Sequence, residues 1–191
     1  MTEPRDPARP EPGQTTAGTT ATGLSAPGRP PADRPPPLIA FDWGTSNLRA
    51  FVIAEDGTVL EQRRRPWGIL RLPDRSVATR PDREITPFEA AAIGIAGDWI
   101  QRWPDARLLA CGMVGSRQGW REAPYLAVPA EPADIARARV EVDVLPGRSL
   151  AILPGLCQGG HAPATRISVP ARALDTPDVM RGEETQAVGA L

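Results

Sequence analysis

The residue types that phosphate chemistry needs occur together in one short segment, an aspartate followed by a small polar turn. Asp42 ends an apolar run, and Gly44, Thr45, Ser46 and Asn47 follow it almost directly. A carboxylate at a strand end can hold Mg²⁺ directly or through water, and the backbone N–H groups and hydroxyls of such a turn can surround phosphate oxygens. The same residues are common in ordinary hairpin turns, so composition alone leaves both interpretations open.

Composition excludes several other kinds of catalytic site. All 22 basic residues are arginine, because the sequence contains no lysine, and this excludes a Walker-type phosphate loop and a Schiff-base enzyme. There is a single histidine, His161, and there are two cysteines, Cys111 and Cys157. A zinc cluster and a disulfide framework are therefore not expected. A reducing cytoplasm is the compartment that fits best.

The overall charge and hydropathy limit the partners to be expected. The 191 residues carry a formal net charge of −1, which predicts no electrostatic surface for nucleic acid. A content of 41% apolar and 24% charged residues is typical of a globular protein and not of a membrane protein.

The chain divides into a tail and one folding unit. Residues 1–37 hold 10 of the 23 prolines and no aromatic residue. Such a segment cannot bury enough apolar surface to offset its ordering entropy, so we expect a disordered tail there. Residues 38–191 remain for a single domain of ordinary size.

The polar turn lies between two predicted strands. The apolar run Leu38–Phe41 predicts the first strand, and Leu48–Ala54 predicts the second. The pair Asp56-Gly57 then indicates a hairpin that leads to a third strand at Thr58–Gln62. Three consecutive antiparallel strands are therefore expected around the turn.

A helix and two more strands are predicted after this hairpin pair. The sequence Thr86-Pro87-Phe88-Glu89 is typical of a capping box with proline at the first helical position, and Pro104 is expected to end the helix. Its buried face would consist of six apolar residues at helical spacing, Phe88, Ala91, Ala92, Ile95, Trp99 and Trp103. Arg107–Cys111 and Ser149–Leu153 predict buried strands, and Val179–Leu191 is expected to begin another helix. The order of elements is a mixed α/β pattern.

Six motifs, in their order along the chain, identify a family. They are Asp42 to Arg49, Gly68-Ile69-Leu70-Arg71-Leu72, Gly112-Met113-Val114-Gly115-Ser116 with Gly119-Trp120, Ala123-Pro124-Tyr125-Leu126 with Val128-Pro129-Ala130, Pro154-Gly155-Leu156, and Met180-Arg181-Gly182-Glu183-Glu184-Thr185-Gln186. Together they closely resemble the 2-dehydro-3-deoxygalactonokinases, sugar-acid kinases of the actin/hexokinase/Hsp70 superfamily. The resemblance spans roughly residues 38–191, and six ordered motifs are far more specific than one glycine pattern.

The resemblance implies a fold and a reaction. The fold would be α/β, a ribonuclease-H-like N-terminal lobe that faces a second such lobe across a cleft, with MgATP phosphates bound at the opening hairpin. The γ-phosphoryl group of ATP would be transferred to the 6-hydroxyl of 2-dehydro-3-deoxy-D-galactonate. Asp42 would help to hold Mg²⁺, whereas Arg49 could equally be a structural ion-pair partner. The ATP phosphates would be lined by the turn residues, Gly44, Thr45, Ser46 and Asn47.

The resemblance also implies an anionic keto-acid substrate, for which arginine is the expected partner. A guanidinium group binds a carboxylate through paired hydrogen bonds. Arg71 and Arg117 are the candidates, although each could also be an ordinary solvated arginine. The loop that holds Gly115, Ser116 and Arg117 follows a buried strand, where related sugar kinases bind substrate. Trp120 could stack on the sugar chain or pack in the core.

A second acidic site, Glu183-Glu184, lies at the start of the predicted terminal helix. Acidic residues there are favoured by the helix dipole, so stability alone could explain them. The resemblance implies a sharper role, because related sugar kinases place in this region a carboxylate that accepts the proton of the attacking hydroxyl. Glu183, which directly follows Gly182, is the first candidate for this base, and Glu184 is the second.

The resemblance finally bears on completeness. Complete members of the family have a second lobe of comparable size that carries the rest of the nucleotide site. This sequence ends at Leu191, in or just after the predicted terminal helix, so we expect a chain truncated before that lobe and weak or absent catalysis from it alone. Two functions of different classes stay open: an incomplete sugar-acid kinase, or a non-catalytic keto-acid-binding or interaction module derived from one.

Overall fold

The computed structural model describes residues 35–158 and 178–183. The first 34 residues of the expected tail, Glu184 and most of the predicted terminal helix lie outside these ranges. In chain order the strands are β1 (Leu38–Trp43), β2 (Leu48–Ile53), β3 (Val59–Arg65), β4 (Arg107–Gly112), β5 (Tyr125–Ala127), β6 (Val140–Leu145), β7 (Arg148–Ile152), β8 (Gly155–Gln158) and β9 (Asp178–Met180). The helices are α1 (Pro87–Arg102) and α2 (Pro132–Arg137), with short 3₁₀ turns at Arg75–Val77 and Met113–Gly115.

The predicted antiparallel strands are confirmed. β1 pairs with β2 from Leu38↔Ile53 to Trp43↔Leu48, and β2 pairs antiparallel with β3. The turn between β2 and β3 is closed by a hydrogen bond of 3.0 Å from Gly57 N to Ala54 O. Gly57 has a φ of 83°, which a residue with a Cβ adopts only with strain. The hairpin that Asp56-Gly57 predicted is therefore confirmed.

These strands belong to a mixed six-stranded sheet with the order β3-β2-β1-β4-β7-β6. β1, β4 and β7 run parallel to one another, whereas β6 returns antiparallel along β7. A second sheet of three strands has the order β5-β8-β9. The observed architecture is the mixed α/β class that the order of predicted elements indicated.

Helix α1 begins and packs as predicted. The Thr86 hydroxyl accepts a hydrogen bond of 3.2 Å from Glu89 N, and the Glu89 carboxylate accepts one of 2.7 Å from Thr86 N, which completes the capping box. Pro87 occupies the first helical position. Phe88 and Trp103 of the predicted face are half-buried against the core. The other four residues of this face are fully buried: Ala91, Ala92, Ile95 and Trp99.

The core lies between α1 and one face of the large sheet. Ile39, Phe41 and Trp43 alternate along β1 with half-buried residues, and all three are at most 1% exposed. Their partners in the neighbouring strands are buried on the same side, because registered residues share a face. Burying each such large side chain contributes about 1.5–3 kcal/mol, so the core holds the carboxyl end of β1 rigidly in place.

The prediction of a helix from Val179 was wrong. Residues Asp178–Met180 form β9, which pairs antiparallel with β8. Glu183 is the first residue after β9 that has a helical conformation. Local sequence favours a helix here only weakly, while the free edge of β8 offers backbone partners. The sequence analysis also did not predict β5, β6, β8 and α2. For β6 a signal was present, since Val-Glu-Val-Asp-Val alternates in the manner of a half-buried strand.

No helix within the described part of the chain is long and apolar enough to span a membrane.

Candidate functional site

The polar turn between β1 and β2 is tight and open to solvent. Gly44 N donates a hydrogen bond of 2.9 Å to Asn47 O, and this bond closes the turn directly after Trp43. Thr45 and Ser46 at its tip are exposed. Among the hydrogen bonds of residues 35–158 and 178–183, none is donated by the backbone N–H of Thr45 or Ser46. These two backbone donors therefore have no acceptor among the described residues, and an anion could supply one.

A second segment supports the turn from behind. Ile69 N donates to Gly44 O at 3.1 Å, and Leu70 N donates to Thr45 O at 3.2 Å. Gly68 makes this approach possible, because a Cβ there would lie 2.2 Å from Thr45 O. The motif that includes Gly68 and Leu70 thus fixes the shape of the turn.

The turn forms one wall of a pocket of about 360 Å³. Its lining consists of Asp42, Gly44, Thr45, Ser46, Asn47, Arg49 and Arg64. The pocket is more polar than apolar and lies at the carboxyl end of β1, where open α/β sheets bind their ligands. The structure therefore brings together the five turn-region residues that the sequence predicted, Asp42, Gly44, Thr45, Ser46 and Asn47.

A larger pocket, of about 760 Å³, lies at the opposite end of the parallel strands. It is lined at the amino ends of β1 and β4 by Leu38 and Arg107, and on its other side by α2 residues such as Ile135. Its lining is mainly aliphatic and includes none of the predicted site residues. The smaller pocket is therefore the better candidate for phosphate chemistry.

The lining of the smaller pocket has more positive than negative side chains. The Asp42 carboxylate accepts a short hydrogen bond from the Arg49 guanidinium, with side chains that are 22% and 50% exposed, respectively. Arg64 lies on the same wall and donates from Nε to Asn47 Oδ1 at 3.3 Å. Sequence analysis missed Arg64, because the pairing of β2 with β3 shifts by one residue between Val52 and Ile53, and alternation counted from the turn would have placed Arg63 opposite Arg49.

The donors of the pocket fit a magnesium ion that arrives with phosphate. Within the described ranges no group of three His, Cys, Asp or Glu side chains could hold a metal, and Asp42 is the carboxylate in the pocket lining. Mg²⁺ in phosphate-transfer sites is commonly held by one or two carboxylates, with phosphate oxygens and water completing its shell. A single carboxylate beside a polar turn meets that requirement if the turn binds phosphate.

Three backbone segments meet beside the turn: the end of β1, the end of β4 and the segment around Gly182. Gly112 ends β4 with a φ of 89°, and a Cβ there would lie 2.7 Å from Trp43 O. Gly182, with a φ of 112°, packs so closely on Gly112 that its Cβ would lie 3.1 Å from Gly112 Cα. This contact brings Glu183, the next residue, to the same end of the sheet as Asp42. Glu183 is exposed, and its Oε2 accepts a hydrogen bond of 3.1 Å from Arg181 N.

The loop after β4 is held by local hydrogen bonds and aromatic packing. Ser116 Oγ donates to Met113 O at 2.8 Å. Trp120 stacks on Phe88, with ring centroids 5.9 Å apart and an interplanar angle of 15°, and its edge meets Trp43 at 6.2 Å. Trp120 therefore packs against α1 and the end of β1, which is the packing role that the sequence left open.

Arg181 is an unpredicted part of this loop's support. It is 9% exposed, donates from Nε to Tyr125 Oη at 3.1 Å and from Nη2 to Ala123 O at 2.9 Å, and stacks over the Tyr125 ring. Gly115 leaves room for it, because a Cβ there would lie 2.6 Å from Arg181 Nη1. Arg181 thus joins the segment before Glu183 to the loop that holds Gly115.

The two predicted carboxylate-binding arginines are solvated. Arg71 and Arg117 are both exposed, and neither side chain makes an ion pair with the residues the structure describes. Arg71 follows the segment that supports the turn, and Arg117 follows Ser116 at the end of the 3₁₀ turn. Both are therefore available to an incoming anion.

Comparison with known proteins gives consistent matches. The model of the 2-keto-3-deoxy-galactonokinase family matches residues 42–191. A Rhizobium meliloti (strain 1021) protein named as a probable 2-dehydro-3-deoxygalactonokinase is 40% identical over 152 residues, which are 79% of this chain and 41% of that protein. The Escherichia coli (strain K12) 2-dehydro-3-deoxygalactonokinase is 36% identical over 152 residues, 80% of this chain and 41% of the relative.

Among solved structures, a candidate 2-dehydro-3-deoxygalactonokinase from Sinorhizobium meliloti is 35% identical with a TM-score of 0.49, over 80% of this chain and 41% of that one. The chain thus spans about two fifths of the length of the relatives that it matches.

Proposed function

The chain belongs to the 2-keto-3-deoxy-galactonokinase family, and from that premise we propose that it forms the phosphate-binding part of a sugar-acid kinase. The reaction is transfer of the γ-phosphoryl group of ATP to the 6-hydroxyl of 2-dehydro-3-deoxy-D-galactonate. The observation that carries this proposal is the polar pocket in which Asp42 lies beside a turn with exposed backbone donors. Positioning and electrostatic stabilisation dominate phosphoryl transfer, and these are the parts it requires.

The sheet supports a ribonuclease-H-like lobe. Its order β3-β2-β1-β4-β7 begins with antiparallel strands and continues with parallel ones. In this arrangement the first hairpin turn lies next to the carboxyl end of β4. A phosphate held by the turn would then face the loop from Gly112 to Trp120, which is the proposed sugar-acid side of the site.

Each residue on the phosphate side of the site has a proposed role. Thr45 and Ser46 offer backbone N–H groups and hydroxyls to the phosphate oxygens, and Gly44 and Asn47 close the turn that aims them. Asp42 would hold the magnesium ion, and that ion would supply positive charge to neutralise the transferring phosphoryl group. The supporting segment at Gly68 keeps the donors in place without rearrangement during the reaction.

The sugar-acid side is assigned from the loop after β4 and from the solvated arginines. Arg71 and Arg117 would form charge-assisted hydrogen bonds with the substrate carboxylate, because both are exposed and have no acidic partner among the described residues. Gly115 and Ser116 would contribute the loop surface against which the keto acid lies. Trp120, packed on Phe88, would give this surface its rigidity.

Glu183 is proposed as the general base. A carboxylate in this position would accept the proton of the 6-hydroxyl as that oxygen attacks the phosphoryl group. The close packing of Gly182 on Gly112 supports the assignment, because it places Glu183 beside the loop that would hold the sugar acid. Glu184, the second candidate, lies outside the described residues.

Two binding experiments and one assay test the proposal. Titration calorimetry of the purified chain should show binding of MgATP that Asp42→Asn weakens and binding of 2-dehydro-3-deoxygalactonate that Arg117→Gln weakens. Phosphorus NMR of the chain joined to the remaining part of a family relative should then show a phosphate ester at the 6-position of the keto acid. Keto-acid binding without phosphoryl transfer would favour the non-catalytic binding module instead, and a chain that binds neither ligand would contradict both functions.

A further inference from the structure

Three charged side chains form a row across the first three strands. Asp42 in β1 is registered with Arg49 in β2, and Arg49 is registered with Arg64 in β3. Registered residues project from the same face of a sheet, and all three line the pocket of the polar turn. The row places two guanidinium groups against one carboxylate, so the wall beside the turn has an excess of positive charge.

Arg64 is the residue of this row whose positive charge is not paired with a carboxylate of the described residues. Its Nε donates to Asn47 Oδ1 at 3.3 Å, and no carboxylate of the described residues forms an ion pair with it. Like charges that face each other across antiparallel strands destabilise the sheet, with Cβ atoms about 4.5–5.5 Å apart. An anion between Arg49 and Arg64 would remove this repulsion and would lie against the exposed backbone donors of the turn.

Asp42 is not free to bind a cation in this arrangement. Its carboxylate is in a short ion pair with Arg49, whose positive charge also opposes an incoming metal ion. A divalent cation can therefore bind Asp42 well only after Arg49 has moved to another negative partner. The pocket offers such a partner once a phosphate group has entered it.

We propose that Arg64 is a phosphate-binding residue and that the pocket takes up phosphate and divalent cation together by exchange of ion pairs. The anion binds Arg64 and draws Arg49 away from Asp42, and the freed carboxylate then holds the metal ion. This inference deepens the proposed function, since it names how the same pocket selects a metal-bound polyphosphate over either ion alone.

The first test measures anion binding with inorganic triphosphate, which needs neither an adenosine pocket nor a sugar acid. Arg64→Gln should lower the affinity of the chain for triphosphate at least about ten-fold, the loss expected for a charge-assisted hydrogen bond. Arg65→Gln is the matched control, because it removes the same charge from the adjacent residue. Arg65 is exposed and is not part of the pocket lining, so its loss should change the affinity less than about two-fold at moderate salt.

The second test measures the exchange itself with Mn²⁺, whose EPR signal reports the free ion, and with sulfate as the anion at constant ionic strength. Sulfate should tighten Mn²⁺ binding to the wild-type chain by a factor of about 5 or more, the usual lower range of coupling between sites. In Arg49→Gln the Asp42 carboxylate has no competing guanidinium, so Mn²⁺ alone should bind more tightly and the effect of sulfate should fall below about two-fold.

Specific results would overturn the proposal. Equal losses of triphosphate affinity in Arg64→Gln and Arg65→Gln would show that only overall charge matters. Sulfate that leaves Mn²⁺ binding to the wild-type chain unchanged would exclude the exchange, and this result needs no variant to fold. Neither measurement depends on the keto acid, so a chain that passes both, yet transfers no phosphoryl group when joined to the remaining part of a family relative, would contradict the proposed function alone.

Discussion

Gly68→Ala tests whether the segment behind the turn sets the shape of the pocket that we propose binds phosphate. The new Cβ would lie 2.2 Å from Thr45 O and 2.3 Å from Ser46 N, both of which are backbone atoms that no rotamer change can move aside. Ordinary contacts of this kind lie above about 3 Å, so the turn must shift by about 1 Å. The expected result is a distorted turn in a chain that still folds.

The magnitude follows from the contacts that such a shift would break. The two hydrogen bonds from Ile69 N to Gly44 O and from Leu70 N to Thr45 O cannot keep their lengths. Each contributes about 0.5–1.5 kcal/mol, and overpacking at a rigid site costs about 1–3 kcal/mol. We therefore expect the free energy of unfolding to fall by about 2–6 kcal/mol.

Anion binding should be weakened as well, because the donors of Thr45 and Ser46 would no longer converge. A displacement of about 1 Å in a positioning group can reduce rates about a hundred-fold, and we expect triphosphate affinity to fall at least about ten-fold. Urea unfolding and titration calorimetry on the same preparation would measure both quantities.

Gly57→Ala is the matched control for this experiment. Gly57 has a φ of 83°, and a Cβ added there would have no heavy atom within 4 Å, so alanine at this position is strained but meets no neighbour. Stability should fall by about 1 kcal/mol while triphosphate affinity stays at the wild-type value. If Gly68→Ala binds triphosphate as tightly as Gly57→Ala does, the segment behind the turn does not shape the site.

Three further predictions concern the framework and the sugar-acid side. Burial alone would raise the pKa of Glu89, but hydrogen bonds from two arginines and from the helix cap outweigh burial and hold this pKa below its usual range. Glu89→Gln should therefore lower the free energy of unfolding at neutral pH by about 3 kcal/mol, and the exposed control Glu84→Gln by less than about 1 kcal/mol. The Glu89 contribution is present above the unfolded-state pKa and is lost as pH falls through the folded-state pKa, so urea titrations should show the gap closing in acid. Gly115→Ala places a Cβ 2.6 Å from Arg181 Nη1 and should lower the melting temperature by about 2–8 °C in a thermal scan; an unchanged value would mean that this contact is easily relieved. Arg117→Gln should weaken keto-acid binding about ten-fold and leave triphosphate binding unchanged by calorimetry, whereas equal effects on both would indicate damage to the fold.

The elements around the phosphate turn could be predicted because their signals are local. Asp56-Gly57 specifies a hairpin through the backbone freedom of glycine, and the capping box from Thr86 to Glu89 is complete within four residues. Type and spacing also made Asp42 and the turn residues a candidate site, but they left an ordinary hairpin turn open, and the proposed roles came from the resemblance to a family. Neither the hairpin signal nor the capping box depends on a contact with a distant part of the chain.

Short strands at the end of the chain show where local signals fail. Val179 and Met180 could not be assigned to β9 from sequence, because three residues hold too little pattern to separate a strand from a helix. Pairing with β8 decided their conformation by supplying backbone hydrogen-bond partners. The same reason applies to β5, whose three residues pair with β8 from the other side.

By itself, the sequence determined the first two hairpins, the first helix, the mixed α/β class and the family, since these depend on neighbouring residues or on motifs in order. Only the tertiary structure decided that Gly68 lies behind Thr45, that Arg64 faces Arg49, and that Gly182 packs on Gly112. Those contacts join residues far apart in the chain, and each depends on strand register and on how the sheet packs as a whole. A local sequence pattern cannot predict that packing, because the free energy of packing is shared among many residues that meet only after the chain has folded.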